Sequence, residues 1–293
     1  MKSTEWVKIP VHWVDGDTAY ISVVFTWQLP QVYSLCVSYR EQGYRVRAGG
    51  VAVKLLPEYL SQVAETDGEI NALPKHNPYA TYTSRGCPYK CSFCAVSKIE
   101  GDLTELAVYE PNRIVCDNNF LACSRRHFDE VVDRLKFLNG IDFNQGLDVR
   151  ELEQYHIDRL QELDLAVLRF AWDDIKSESI VMQGIEKVVR SGFPRSKIRC
   201  YVLFNFKDKL EDALYRCNTL KKMGMLPNVQ RYQPLDTLIK DSHISPNWNE
   251  RTLRDFGRYW SKQVWFGGFP FEEYCQHCKP SKIAKEQGVM ELV

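Results

Sequence analysis

No stretch of this chain reaches the about 18 consecutive apolar residues of a membrane-spanning helix. Its first residues, MKSTEWVKIPVHWVDGD, also lack the apolar core of a secretory leader. Neither lack suits a membrane-inserted or exported protein, so a cytoplasmic location with no membrane partner is expected. Excess charge is missing too, because 38 lysines and arginines balance 38 aspartates and glutamates. Broad electrostatic capture of nucleic acid is therefore not indicated, although a local basic patch is compatible with neutrality. Material for a core is not lacking. Hydrophobic residues fill 44% of the 293 positions and charged residues 26%, as in a globular protein with one large domain and room for a smaller one.

Ten cysteines are many for a compartment in which disulfides do not persist, and this points the clustered ones to metal binding or catalysis. Cys36, Cys116, Cys123, Cys200 and Cys217 are scattered and read as small buried hydrophobes. Cys87, Cys91 and Cys94 are different, crowded into YTSRGCPYKCSFCAV (residues 82–96). Soft thiolates at such spacing select zinc or an iron–sulfur cluster. Clusters are usually held by four cysteines. Three local ones leave a position open, and an open position separates a reacting metal site from a structural one. The plainer reading is a zinc knuckle that borrows its fourth ligand from Cys275 or Cys278 in EYCQHCKP. That CxxC could also belong to a second metal site, or be a pair of surface thiols.

Periodicity supplies the frame. Over residues 1–75, strand-like AYISVVFTW and YRVRAGGVAV alternate with helix-like QVYSLCVSYREQGY and LPEYLSQVAE, which predicts a small α/β unit. GEINALPKHNPYA reads as the connector out of it. Six strand-like runs follow: YATYTSRG, NRIVCDNNF, IDFNQGLDV, LAVLRFAW, KIRCYVLFNF and NVQRYQPL. Amphipathic stretches separate them. SRRHFDEVVDRLKFL sets Phe128, Val131, Val132, Leu135 and Leu138 on one face, with Ser124 placed as N-cap. Six βα units predict a parallel sheet, curved or closed into a full or partial barrel, with its chemistry at the C-terminal ends of the strands. The three cysteines follow directly on the first of those strands.

CxxxCxxC with an aromatic residue, Phe93, before the last cysteine, at the head of six βα units, resembles the radical S-adenosylmethionine (radical SAM) enzymes over about residues 78–240. The resemblance implies an α/β fold with a partial (βα)6 TIM-like barrel. It also implies a 4Fe-4S cluster on Cys87, Cys91 and Cys94, with S-adenosyl-L-methionine chelating the iron that no cysteine holds. In that family, reduction by a flavodoxin- or ferredoxin-like donor cleaves SAM to methionine and a 5′-deoxyadenosyl radical, which takes hydrogen from the substrate. Sought strand by strand, the family's SAM contacts fall on Asp117, Asn118 and Asn119 after the second strand, and on Gln145, Asp148 and Arg150 after the third. Arg150 is placed near the SAM carboxylate, which its planar fork suits. Arg169, Asp173 and Asp174 follow on the fourth strand, toward the ribose. The fifth strand departs from the family, with Asn205 where a glycine turn commonly packs on adenine. Each polar residue has a bland alternative as a strand-end cap or salt-bridge partner.

The N-terminal unit looks like a shortened relative of the Rossmann-like domain of cobalamin-binding radical SAM enzymes, without their Asp-x-His-x-x-Gly motif. It is expected to pack on the barrel or shape its entrance, with His12 and His76 structural. Residues 76–240 form the core of this scheme and 241–293 a helical, aromatic extension. Arg231 and Tyr232 are placed at the substrate side of the last strand. Trp248, Trp260, Trp265 and Phe266 either line that mouth or, more plainly, pack a helix face. Lys279, Lys282 and Lys285 read as a solvated tail. A nucleotide or modified base, a peptide or a small metabolite are the substrates this reading admits. Its rivals are a cobalamin-assisted methyltransferase and a zinc-stabilised nucleic-acid-binding module.

Overall fold

The computed structural model describes residues 6–277 and begins with a strand beyond those expected. β1 (Val11–Asp15) pairs antiparallel with β2 (Thr18–Ser22). The turn between them uses Gly16 at φ +59°, a conformation that costs glycine little. Asp-Gly between two alternating runs is the hairpin signal that marks this turn. α1 (Leu29–Glu41) crosses to β3 (Arg45–Gly49), which lies parallel to β2, and α2 (Val51–Leu55) follows the glycine pair. These elements share a core of their own that includes Ile21, Leu29, Val32, Cys36 and Val46.

The helix expected over LPEYLSQVAE does not form. Proline disfavours helical geometry in the residue before it; Leu56 sits at φ −134°, ψ 64°, α2 ends there, and only a single 3-10 turn, Pro57–Tyr59, follows. α3 (Leu73–His76) closes the connector. The boundary expected at residue 75 falls inside α3, because the buried His76 ring bonds Ser22 Oγ at 3.0 Å and its carbonyl accepts from Val7 N.

After α3 the chain runs through β4 (Ala80–Thr81), β5 (Ser84–Arg85), α4 (Val96–Ile99), β6 (Thr104–Glu105) and β7 (Ile114–Val115). α5 (Arg125–Leu135), β8 (Asn139–Phe143), α6 (Gln154–Leu160), β9 (Asp164–Ala171), α7 (Glu178–Arg190), β10 (Ile198–Phe204), α8 (Leu210–Lys222) and β11 (Leu226–Arg231) continue the alternation. All six expected strands are present. They form one parallel sheet in the order β4-β7-β8-β9-β10-β11, the order of the chain. Parallel units laid down in sequence, with crossovers of one hand, keep their helices on one face. The protein is thus mixed α/β with a six-stranded parallel sheet. The sheet is open, with β4 and β11 as its edges.

The helices form where the sequence places them. Ser124 caps α5 by accepting from His127 N, and Phe128, Val131, Val132 and Leu135 are buried against the sheet. The first crossover is the exception. Between β4 and β7 the only helix is the four-residue α4, which lies in the cysteine loop between β5 and β6.

α9 (Glu250–Ser261) and α10 (Phe271–His277) complete the described chain. The 241–293 extension has no separate core in its described part, since Leu253, Phe256, Tyr259 and Trp260 join the cluster that packs the sheet. Trp248, Trp260 and Trp265 are buried there, and Phe266 is exposed. The five scattered cysteines are all buried, as expected. Cys278 and the lysines at 279, 282 and 285 lie outside the described residues, so a site shared with Cys275 does too. Among the described residues no helix is long and apolar enough to cross a membrane.

Candidate functional site

The cysteine loop occupies residues 86–103 at the C-terminal end of β4. Its two ends are drawn together by β5 and β6, which pair Ser84 with Glu105 and Arg85 with Thr104. Arg85 grips Glu100 with two bonds of 3.0 and 2.6 Å, and Glu100 also accepts from Gly86 N. At Gly86, φ is +75° and a Cβ would lie 2.1 Å from the Asp102 carbonyl. Only glycine fits where the ends touch. Inside the loop, Tyr89 N and Val96 N each reach a sulfur at 3.5 Å, on Cys87 and Cys94. Amide donors of this kind stabilise thiolate and tune a bound cluster. Burial, joined by the neighbouring Cys91, Cys87 and Asp173, raises the Cys94 thiol pKa against the bond from Val96 N.

Asn119, after β7, is buried and donates to Cys87 Sγ at 3.6 Å and to Asp148 Oδ2 at 3.1 Å. Its Oδ1 is buried with no hydrogen-bond partner, an orphaned acceptor beside the first cysteine. Asp148 takes a forked pair of bonds from Arg150, whose guanidinium lies 3.5 Å from the centre of the Tyr89 ring. The Tyr89 hydroxyl in turn donates to Glu151. The loop after β8 is thereby clamped to the cysteine loop through Tyr89 and Glu151. Sequence reasoning assigned neither residue a role, and an aromatic between two loop cysteines was the available signal. Asp173, after β9, is within electrostatic reach of Cys94 and Arg150. Burial pushes its carboxyl up to about 6, against a bond from Leu203 N.

Other expected contacts go elsewhere. Asp117 is buried and accepts from Thr83 N, Thr83 Oγ1 and Ser84 Oγ, so it ties β7 to the segment after β4. Asn118 donates to Glu100 at 2.6 Å, and Gln145 is exposed. Asp174 caps the turn that precedes α7 by accepting from Lys176 N. Arg169 forms a buried forked pair with Asp142 at 2.6 and 2.7 Å. Their strand positions alternate with Phe143, Leu168 and Phe170 of the helix-side core, so the pair lies on the opposite face of the sheet. Nε and Nη2 of Arg169, expected toward a ribose, are both engaged by that carboxylate. Arg231 Nη2 donates to the carbonyls of Asp241 and His243, bracing that segment, while its Nε is buried with no hydrogen-bond partner.

Asn205 stands at φ +69°, the left-handed region that glycine would occupy and that asparagine tolerates best among other residues. Its Nδ2 donates to the carbonyls of Tyr232 and His243, and its Oδ1 accepts from Ser245 N. The fifth strand therefore keeps a glycine-like turn and adds a brace across to β11. That brace sets a row of rings beginning in the cysteine loop. Phe93 meets Phe206 edge-on at 5.7 Å, Phe206 meets Tyr232 at 4.6 Å, and Tyr232 meets His243 at 5.3 Å.

The N-terminal unit touches this end of the sheet. α2 packs on α4, just past Cys94, and Thr26 Oγ1 bonds the Thr237 carbonyl beyond β11. Its own glycine pair is closely approached by neighbouring atoms. A Cβ on Gly49 would lie 2.9 Å from Ile70 Cδ1, and one on Gly50 would lie 2.5 Å from the Val23 carbonyl.

Among the described residues, no three His, Cys, Asp or Glu side chains converge on one metal ion. Four thiolates around one zinc stand about 3.8 Å apart, the edge of a tetrahedron with bonds of about 2.3 Å. Thiolates bound to separate irons of a cubane do not share one metal and need not converge so tightly. The chain matches no model of a known protein family, and a search of curated proteins finds no match either.

Proposed function

We propose that this chain is a radical SAM enzyme, with Cys87, Cys91 and Cys94 holding a 4Fe-4S cluster and S-adenosyl-L-methionine completing it. The observation that carries the reading is the placement of the three thiols. They sit on one pinned loop at the C-terminal end of the first strand of a parallel sheet in chain order, where βα folds keep their chemistry. Six such units fit a partial (βα)6 TIM-like barrel, with the Asp142–Arg169 pair on its inner face.

The donor set suits a group larger than one ion. Asn119 offers an unpaired buried acceptor beside Cys87, which suits an ammonium group such as that of methionine. Buried polar atoms are costly without a partner, so a ligand amine there would satisfy it. Asp173 adds a second acceptor on the same side. Arg150, held by Asp148 and Tyr89, keeps a cation near Cys91, where it would favour a carboxylate and bound thiolate alike. With cluster and SAM bound, one electron from a flavodoxin- or ferredoxin-like donor would release methionine and a 5′-deoxyadenosyl radical that takes hydrogen from the substrate. The N-terminal unit would act as a wall of the entrance.

Anaerobic reconstitution, reduction and addition of SAM, followed by mass spectrometry for 5′-deoxyadenosine, tests the reading. Product from the wild type and none from a variant with all three cysteines changed to alanine is the expected result. Zinc in place of iron in protein purified without oxygen would overturn it.

A further inference from the structure

We propose that Phe206, Tyr232 and Lys207 form the substrate subsite, and that it takes a nucleotide, with the base on the rings and the phosphate on the lysine. This rests on the radical SAM reading above, which places the reacting end of SAM beside the same loop.

Location is the first argument. Phe206 and Tyr232 follow β10 and β11, and Phe206 touches Phe93, which lies between Cys91 and Cys94. The row of rings thus starts at the thiols and runs along the strand ends.

The second argument is packing. Phe93, Phe206, Tyr232 and His243 are half-buried, and none belongs to a hydrophobic core cluster. Phe204, two residues before Phe206, is in the main core with Trp248 and Phe256. No ring in the row lies flat on the next, since the interplanar angles are 77°, 56° and 84°. Rings meeting edge to face leave flat surface for a planar guest, and every nucleobase has such a face. The Asn205 side-chain amide ties the backbone of Tyr232 and His243 in place, so that end of the row is organised before anything binds.

Charge is the third. Lys207 is exposed, its ammonium lies 5.0 Å from the centre of the Phe206 ring, and it makes no ion pair among the described residues. Its neighbour Asp208 is taken by Arg216 at 2.7 Å. A lone cation beside a ring suits one phosphate on one base. Overall neutrality disfavours a long duplex, whose affinity comes from many phosphate contacts.

The competing occupant of these rings is the adenine of SAM, so the test is run with SAM saturating. AMP, GMP, CMP and UMP are titrated anaerobically by calorimetry into cluster-loaded protein. At least one is expected to bind, with affinity about tenfold lower in Phe206→Leu and in Tyr232→Leu, in line with the stacking of one base on one ring. Lys207→Met, at an exposed side chain, is expected to weaken the nucleotide and leave the matching nucleoside unchanged, which keeps the test independent of folding. Phe137→Leu, an exposed position outside the row, serves as the control. Failure of all four nucleotides to bind, binding seen only without SAM, or variants that bind as the wild type would each overturn the proposal. Iron content and 5′-deoxyadenosine release are read on the same preparation, so loss of the radical SAM reading registers there and separately from the nucleotide titration.

Discussion

Two groups of aromatic rings lie near the ends of β10 and β11, and they are built differently. Trp248, Phe256, Tyr259 and Trp260 are almost wholly buried and interlock with Phe204 and Phe271. Phe93, Phe206 and Tyr232 touch one another yet stay half open. Most of the first group rides on the apolar face of α9, so helical periodicity drives it into the core. The second sits on loops and strand ends, where backbone hydrogen bonds fix position and burial is optional. Aromatic content alone therefore says little about function; the element that carries a ring decides whether it is core or surface.

The largest effect should come from truncating the packed group. Phe256→Ala is expected to cost about 3–5 kcal/mol in denaturant unfolding, as for a fully buried ring, whereas Phe206→Ala should cost under about 1 kcal/mol. Equal losses would erase the distinction. Next, Asn205→Ala removes three hydrogen bonds and forces a Cβ residue less tolerant of positive φ into a left-handed turn, at about 2–4 kcal/mol. Asn205→Gly keeps the turn and should recover part of that, while both variants loosen Tyr232 and His243, visible as line broadening of their ring resonances. If the rings stay ordered in Asn205→Gly, packing and not the brace holds the row.

A smaller effect should reach neither group. Burial lowers the His76 pKa below 6.5, so the unfolded chain binds the proton first as pH falls. Its contribution is therefore intact above pH 6.5 and is lost on acidification through and below it. His156 is shifted the same way by burial. His76→Gln should flatten the decline in stability between pH 7 and 5 in part, measured by denaturant midpoints. An unchanged slope would mean that His76 binds its proton equally well in the native and unfolded states.

The six strands, the capped helices and the cysteine loop were legible because each is a local pattern: alternation, a period of 3.6, or close spacing. Partners distant in sequence were not. Arg150 and Arg169 look alike as strand-end arginines, but Arg169 meets Asp142, 27 residues back, and which face it takes depends on sheet register. Asp117 was singled out as a SAM contact, and nothing local says that Thr83 and Ser84 engage its oxygens. The failed helix at 56–65 had a visible cause in Pro57. Tyr89 was in plain view, but its stacking on Arg150 is set by the loop after β8. Asn205 looked like a departure from a glycine turn until its φ showed the same backbone shape.

The decisive measurement is the Mössbauer spectrum of iron-57-reconstituted protein before and after addition of SAM. About four irons per chain are expected, with about one in four changing its signal when SAM binds, the signature of an iron left open by Cys87, Cys91 and Cys94. A cluster whose irons all stay unchanged by SAM, or protein that takes up zinc and no cluster, would contradict the proposed function.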